Sequence, residues 1–88
     1  MALPQRQQCP CCGYYTLDSR GDYQICPVCF WEDDNPHEVF GQAASDRPQG
    51  PNRVQLRQAR LNFLTFGASD NTALRWVRPP TANEMSRE

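Results

Sequence analysis

Short apolar clusters separated by polar turns fill the first forty residues, and a helical period takes over after residue 50. Tyr14-Tyr15-Thr16-Leu17 and Tyr23-Gln24-Ile25 are β-prone, and Asp18-Ser19-Arg20-Gly21-Asp22 between them is a run of turn formers. The spacing predicts a hairpin in which the second segment returns beside the first. Phe30-Trp31 then leads into Glu32-Asp33-Asp34-Asn35-Pro36-His37-Glu38, an acidic loop that ends in Val39-Phe40. Residues 41–51, with Gly41, Ser45, Pro48, Gly50 and Pro51, read as irregular linker.

From Asn52 the pattern becomes helical. Asn52 is the expected N-cap, with Gln55 three residues on completing a capping-box-like pair. An amphipathic helix over about 53–66 follows, stopped by Gly67. Leu56, Ala59, Phe63 and Phe66 fall on its main apolar face. Val54 and Leu61 fall on another side, and Leu64 lies with the Arg53/Arg57/Arg60 stripe between the two. A helix apolar on two sides is expected to be covered twice. Ser69 or Asp70 is placed to cap a short second helix over about 70–77, carrying Leu74 and Trp76 and ended by Pro79-Pro80. The layout is therefore a single domain over 1–88: a polar leader (1–8), a ribbon with its acidic loop (9–40), the linker (41–51), a helical extension (52–78) and a frayed tail (79–88).

Composition turns this outline into a chemical question. In 88 residues with 39% hydrophobic content and 8 prolines there is room for only a modest core, so an added staple is physically useful. The cysteines supply one. Cys9-Pro10-Cys11-Cys12-Gly13 and Cys26-Pro27-Val28-Cys29-Phe30 each read C-P-x-C, with a hairpin's worth of residues between. Thiolates so spaced sit on tight turns, and two facing turns present four soft ligands to a tetrahedral ion. The expected ligands are Cys9, Cys12, Cys26 and Cys29, holding one Zn²⁺ per chain; iron in a rubredoxin-type site is the alternative. Gly13 suits the positive φ that the turn after the second thiolate commonly needs. Cys11 is expected to point away from the metal as a bystander, the other option being that it replaces Cys12. The architecture expected is a small metal-stapled α+β fold, a zinc-ribbon or rubredoxin-like knuckle hairpin followed by the helices.

Charge narrows the function classes less sharply. The net charge is −1, but residues 1–50 carry seven acidic side chains against Arg6, Arg20 and Arg47, and residues 51–88 carry six arginines against Asp70, Glu84 and Glu88. That balance lacks the basic excess of a typical nucleic-acid binder. The opening residues Met1-Ala2-Leu3-Pro4-Gln5-Arg6 lack a signal-peptide core and no stretch reaches membrane-spanning length, so a cytoplasmic protein with reduced thiols is expected. His37 among carboxylates matches no hydrolytic motif, and a solvated acidic loop is the preferred reading.

The strings Cys9-Pro10-Cys11-Cys12-Gly13, Cys26-Pro27-Val28-Cys29-Phe30-Trp31-Glu32-Asp33-Asp34, Gly50-Pro51-Asn52, Gln58-Ala59-Arg60-Leu61-Asn62-Phe63 with Gly67-Ala68, and Val77-Arg78-Pro79-Pro80 together resemble the bacterial cysteine-rich CPCC proteins, from about Cys9 to Pro80. The resemblance implies a small zinc-binding protein and no particular molecular role. With no nucleophile–base pair, no phosphate loop and four thiolates closing the metal site, the expected function is non-catalytic. It is a protein–protein interaction module, monomeric or homodimeric, with Glu32, Asp33, Asp34, Arg53, Arg57 and Arg60 as its contact charges. By analogy such a module serves as an inhibitor or immunity-type partner of a toxin or enzyme. The alternatives are a nucleic-acid-associated ribbon using Arg53, Arg57, Arg60, Arg75 and the tyrosines at Tyr14, Tyr15 and Tyr23, and an electron carrier.

Overall fold

The computed structural model describes residues 6–44 and 50–85. The middle of the expected linker, most of the leader and the end of the tail lie outside the described residues. Four short strands come first: β1 (Gln7–Gln8), β2 (Tyr15–Leu17), β3 (Gln24–Ile25) and β4 (Glu32–Asp33). They pair as two separate antiparallel hairpins, β1 with β2 and β3 with β4. The pairing expected between the Tyr14–Leu17 and Tyr23–Ile25 segments is not the one formed. Each C-P-x-C turn reverses the chain by itself, so each strand finds its partner across its own knuckle, and Gln7–Gln8 of the supposed leader is one of those partners.

The two knuckles repeat each other bond for bond. The Cys9 amide donates to the Tyr14 carbonyl at 2.8 Å and the Gly13 amide to the Cys9 carbonyl at 3.0 Å. In the second knuckle, Cys26 donates to Trp31 at 2.9 Å and Phe30 to Cys26 at 2.8 Å. Closing this turn needs the residue after the second cysteine in the left-handed region, where Gly13 has φ 85° and Phe30 φ 70°. Glycine occupies that conformation freely, whereas for a bulky residue it costs about 1 kcal/mol, held in place by the surrounding turn.

The helix α1 runs over Leu56–Phe66 and ends at Gly67, whose φ of 88° and amide bond to the Phe63 carbonyl (2.9 Å) close its last turn. It starts later than the sequence pattern predicts because Asn52 is engaged elsewhere. The Asn52 side chain accepts from the Glu32 amide at 2.9 Å and donates to the Glu32 carbonyl at 2.8 Å, bonding to β4 as a neighbouring strand would. Gln55 occupies the cap position with no side-chain cap bond. Leu56 and Ala59 face the core and Phe63 packs against it, but Phe66 is partly exposed and Leu61 and Leu64 are exposed. The second covering layer expected over α1 is not formed among the described residues. The second helix is present as a single 3-10 segment, Asn71–Trp76, with Asp70 as its cap accepting from the Thr72 amide.

The part of the expected frayed tail that is described, up to Met85, is anchored instead. α2 (Ala82–Met85) places Glu84, 3% exposed, in a two-pronged ion pair with Arg78 at 2.8 and 2.9 Å, and the Thr81 amide adds a third bond at 2.9 Å. The Arg78 guanidinium, with the Thr81 amide, pulls the Glu84 carboxyl down to about 2 despite its burial. A carboxyl so depressed contributes its full stabilisation above its ordinary value of about 4.5 and loses it as the pH falls toward about 2. Glu84→Gln is therefore expected to lower Tm by roughly 5 °C, and by the same amount at every pH between 8 and 5. Thermal unfolding of both proteins at pH 8, 7 and 5 checks this, and a difference that fades by pH 6 contradicts it.

Candidate metal centre

Because each knuckle aims two side chains inward, the hairpins face one another through sulfur. The Cys9 and Cys29 sulfurs are 3.6 Å apart, the Cys12 and Cys26 sulfurs 3.7 Å, and all four lie within 4.8 Å of one another. A tetrahedral ion with metal–sulfur bonds of about 2.3 Å has sulfur–sulfur edges of about 3.8 Å. Disulfide sulfurs would be about 2.05 Å apart, and the cysteines are free thiols. Sulfur-only donors, buried and spaced to the edge of a thiolate tetrahedron, fit a soft metal ion. Among the described residues this is the only group of three or more such ligands brought together.

The electrostatics of the cage call for a cation. Burial raises the Cys9 and Cys29 thiols, and the hydrogen bond to Cys26 raises Cys12. Cys26 is pulled down, chiefly by the Cys12 thiol 3.7 Å away, with the other cage thiols and the Thr16 hydroxyl adding to the effect. Without a counter-ion the pocket thus resists ionisation of most of its thiols. A divalent ion must displace those protons, so its affinity falls as the pH is lowered.

Residues that no spacing rule marks hold this cage. Thr16, 5% exposed, sets its hydroxyl 3.0 Å from the Cys26 sulfur. A hydroxyl donor to a metal-bound thiolate offsets excess negative charge, and outer partners of this kind are commonly worth 10- to 100-fold in affinity. Thr16→Val, which keeps the shape and removes the donor, is expected to weaken metal binding by about tenfold, measured by competition with a chromophoric chelator. From α1, Arg60 donates through Nε to the Pro10 carbonyl at 2.8 Å and through its two terminal nitrogens to the Gln42 and Val39 carbonyls at 2.5 and 3.0 Å. The Ser69 amide donates to the Cys29 carbonyl at 2.8 Å and the Arg78 amide to the Pro27 carbonyl at 3.2 Å. The helical extension therefore braces both knuckles through their carbonyl groups.

Cys11 is 2% exposed and stands outside the four-sulfur set. His37 is exposed and is not part of the set. The expected contact charges scatter. Asp33, far from being in a solvated loop, is 1% exposed in β4. It accepts from Arg20 Nε at 2.6 Å and from the Gly21 amide at 2.8 Å. Arg20 also donates to the Asn35 and Glu38 carbonyls, folding the acidic segment around one guanidinium. Glu32 is half-buried with its backbone bonded to Asn52, and Asp34 is half-buried as well. Arg53 is exposed and pairs with Asp70 at 3.4 Å, Arg57 is exposed, and Arg60 is committed to carbonyls.

No curated protein and no solved structure shows significant similarity to the chain. No helix of the described residues is long and apolar enough to cross a membrane. The family model for cysteine-rich CPCC proteins matches residues 7–84, a span that contains both knuckles, the bracing helix and the Arg78–Glu84 pair. The chain belongs to the cysteine-rich CPCC family.

Proposed function

We propose that the chain is a zinc-stapled, non-catalytic module that works through contact with another protein. The observation that carries the metal part is the pair of sulfur–sulfur edges at 3.6 and 3.7 Å, close to the edge of a zinc–thiolate tetrahedron. Four thiolates complete zinc's coordination and leave no position for a substrate or a water to activate, which supports a structural rather than a catalytic ion. The contact part is supported by large apolar side chains left in solvent, among them Leu64 at 82%, Trp76 at 62% and Leu61 at 54% exposed. With Asp33 and Arg60 committed internally, these apolar residues are better anchors than the charges, and the charges that stay outside are left to set the rate of approach.

The test is isolation of the tagged chain from its native cells with metal analysis of the same sample. One zinc per chain with one protein recovered in stoichiometric amount, lost on Leu64→Asp, is the expected result. A red iron form would replace this reading with electron transfer, and nucleic acid removed by nuclease would replace it with the nucleic-acid ribbon.

A further inference from the structure

The four clustered sulfurs are not equally shielded. Cys9, Cys26 and Cys29 are 0% exposed, whereas Cys12 is 8% exposed. Cys12 borders a cleft of about 290 Å³ that Cys11, Phe40, Phe63, Leu64 and Arg60 also line. Arg60 keeps its positive charge but turns its donors away to three backbone carbonyls, and Phe40, Phe63 and Leu64 make the rest of the lining largely apolar. The mouth leads to a sulfur that is a thiolate whenever it holds a metal.

We propose that Cys12 is the reactive sulfur of the centre, and that small neutral α,β-unsaturated carbonyl compounds enter by this cleft, alkylate it first and so release the metal. The proposal rests on the metal-binding reading. In the step, a Cys12 sulfur lone pair forms the bond to the β-carbon. The carbon–carbon π pair moves onto the carbonyl as an enolate, and water protonates the α-carbon. The thioether that remains is neutral and a far poorer ligand than the thiolate, so the tetrahedron opens. Apolar walls favour neutral electrophiles over charged ones, which would lose hydration on entry. Cys11 also lines the cleft but is less exposed than Cys12 (2% against 8%) and stands outside the four-ligand set, so its alkylation would not remove a ligand.

The experiment treats the zinc-loaded full chain, its metal content first established by native mass spectrometry, with substoichiometric N-ethylmaleimide. Singly modified chains are mapped by peptide mass spectrometry while a chromophoric chelator reports released zinc. Cys12 is expected to carry about tenfold more of the first adduct than any other cysteine, with one zinc released per adduct. A rigid pyrene maleimide, compared relative to its rate with a free cysteine peptide, is expected to react about tenfold more slowly than N-ethylmaleimide because it does not fit the cleft. First adducts on Cys9, Cys11, Cys26 or Cys29, or equal relative rates for the two probes, overturn the proposal and leave the metal reading standing. A chain that takes up no metal defeats both.

Discussion

Removing the metal with a chelator is expected to unfold the chain, not merely to empty the site. Among the described residues, five of the ten in the buried apolar cluster are cysteines, joined by Leu17, Val28, Trp31, Leu56 and Ala59, with Tyr14, Ala44, Val54 and Phe63 partly buried against them. The strands are two or three residues long and form two separate hairpins, which alone are marginal in water. A structural zinc contributes on the order of 10 kcal/mol, as much as the whole stability of a typical small domain. Without it, four buried sulfurs face one another across gaps of 3.6 Å and more with nothing to bind them together. The cooperative thermal transition and the protection of the knuckle amides against hydrogen exchange should both vanish on chelation and return with zinc. Cys26→Ser should behave as the chelated chain does. A metal-free chain that keeps its cooperative transition would show that apolar packing, not the ion, holds the hairpins together.

Breaking the Arg20–Asp33 pair is the second large effect. Asp33 is buried and Arg20 is mostly so, its side chain 17% exposed, and the pair bridges the turn before β3 and the strand β4. Truncating one member of such a pair leaves the other desolvated and unpaired, at a cost of about 3–5 kcal/mol. Asp33→Ala should therefore lower the Tm of the metal-loaded protein by roughly 15 °C or more. Arg20→Met should be at least as damaging, because it also removes the donors to the Asn35 and Glu38 carbonyls. Combining the two substitutions should cost clearly less than their sum, since neither variant then leaves a lone charge. Simple additivity in thermal unfolding would mean that the two side chains act independently.

The pair also changes how the acidic segment is understood. A run of Glu32, Asp33 and Asp34 looks like a solvated surface, yet its central member is one of the most deeply buried polar residues of the fold. A contact mediated by that segment would rest on its outer carboxylates alone. Any loss of binding on changing Asp33 would report a damaged fold.

What the sequence by itself determined is local. The C-P-x-C spacing placed four thiols on two tight turns, Gly13 and Gly67 marked the left-handed positions, and the Ser69-Asp70 pair marked a helical start, because each depends on a few neighbouring residues and on steric rules that hold in any chain. The tertiary structure showed which strands pair, since a knuckle that reverses the chain by itself makes the β-prone segment beyond the next turn the wrong partner. It also took Asn52 from a helix cap to the edge of β4, Asp33 from a loop to a buried ion pair thirteen residues from its arginine, and Glu84 from a tail to an anchor. Those roles depend on which backbone groups are left without partners once the hairpins and α1 are packed. No short-range pattern carries that information.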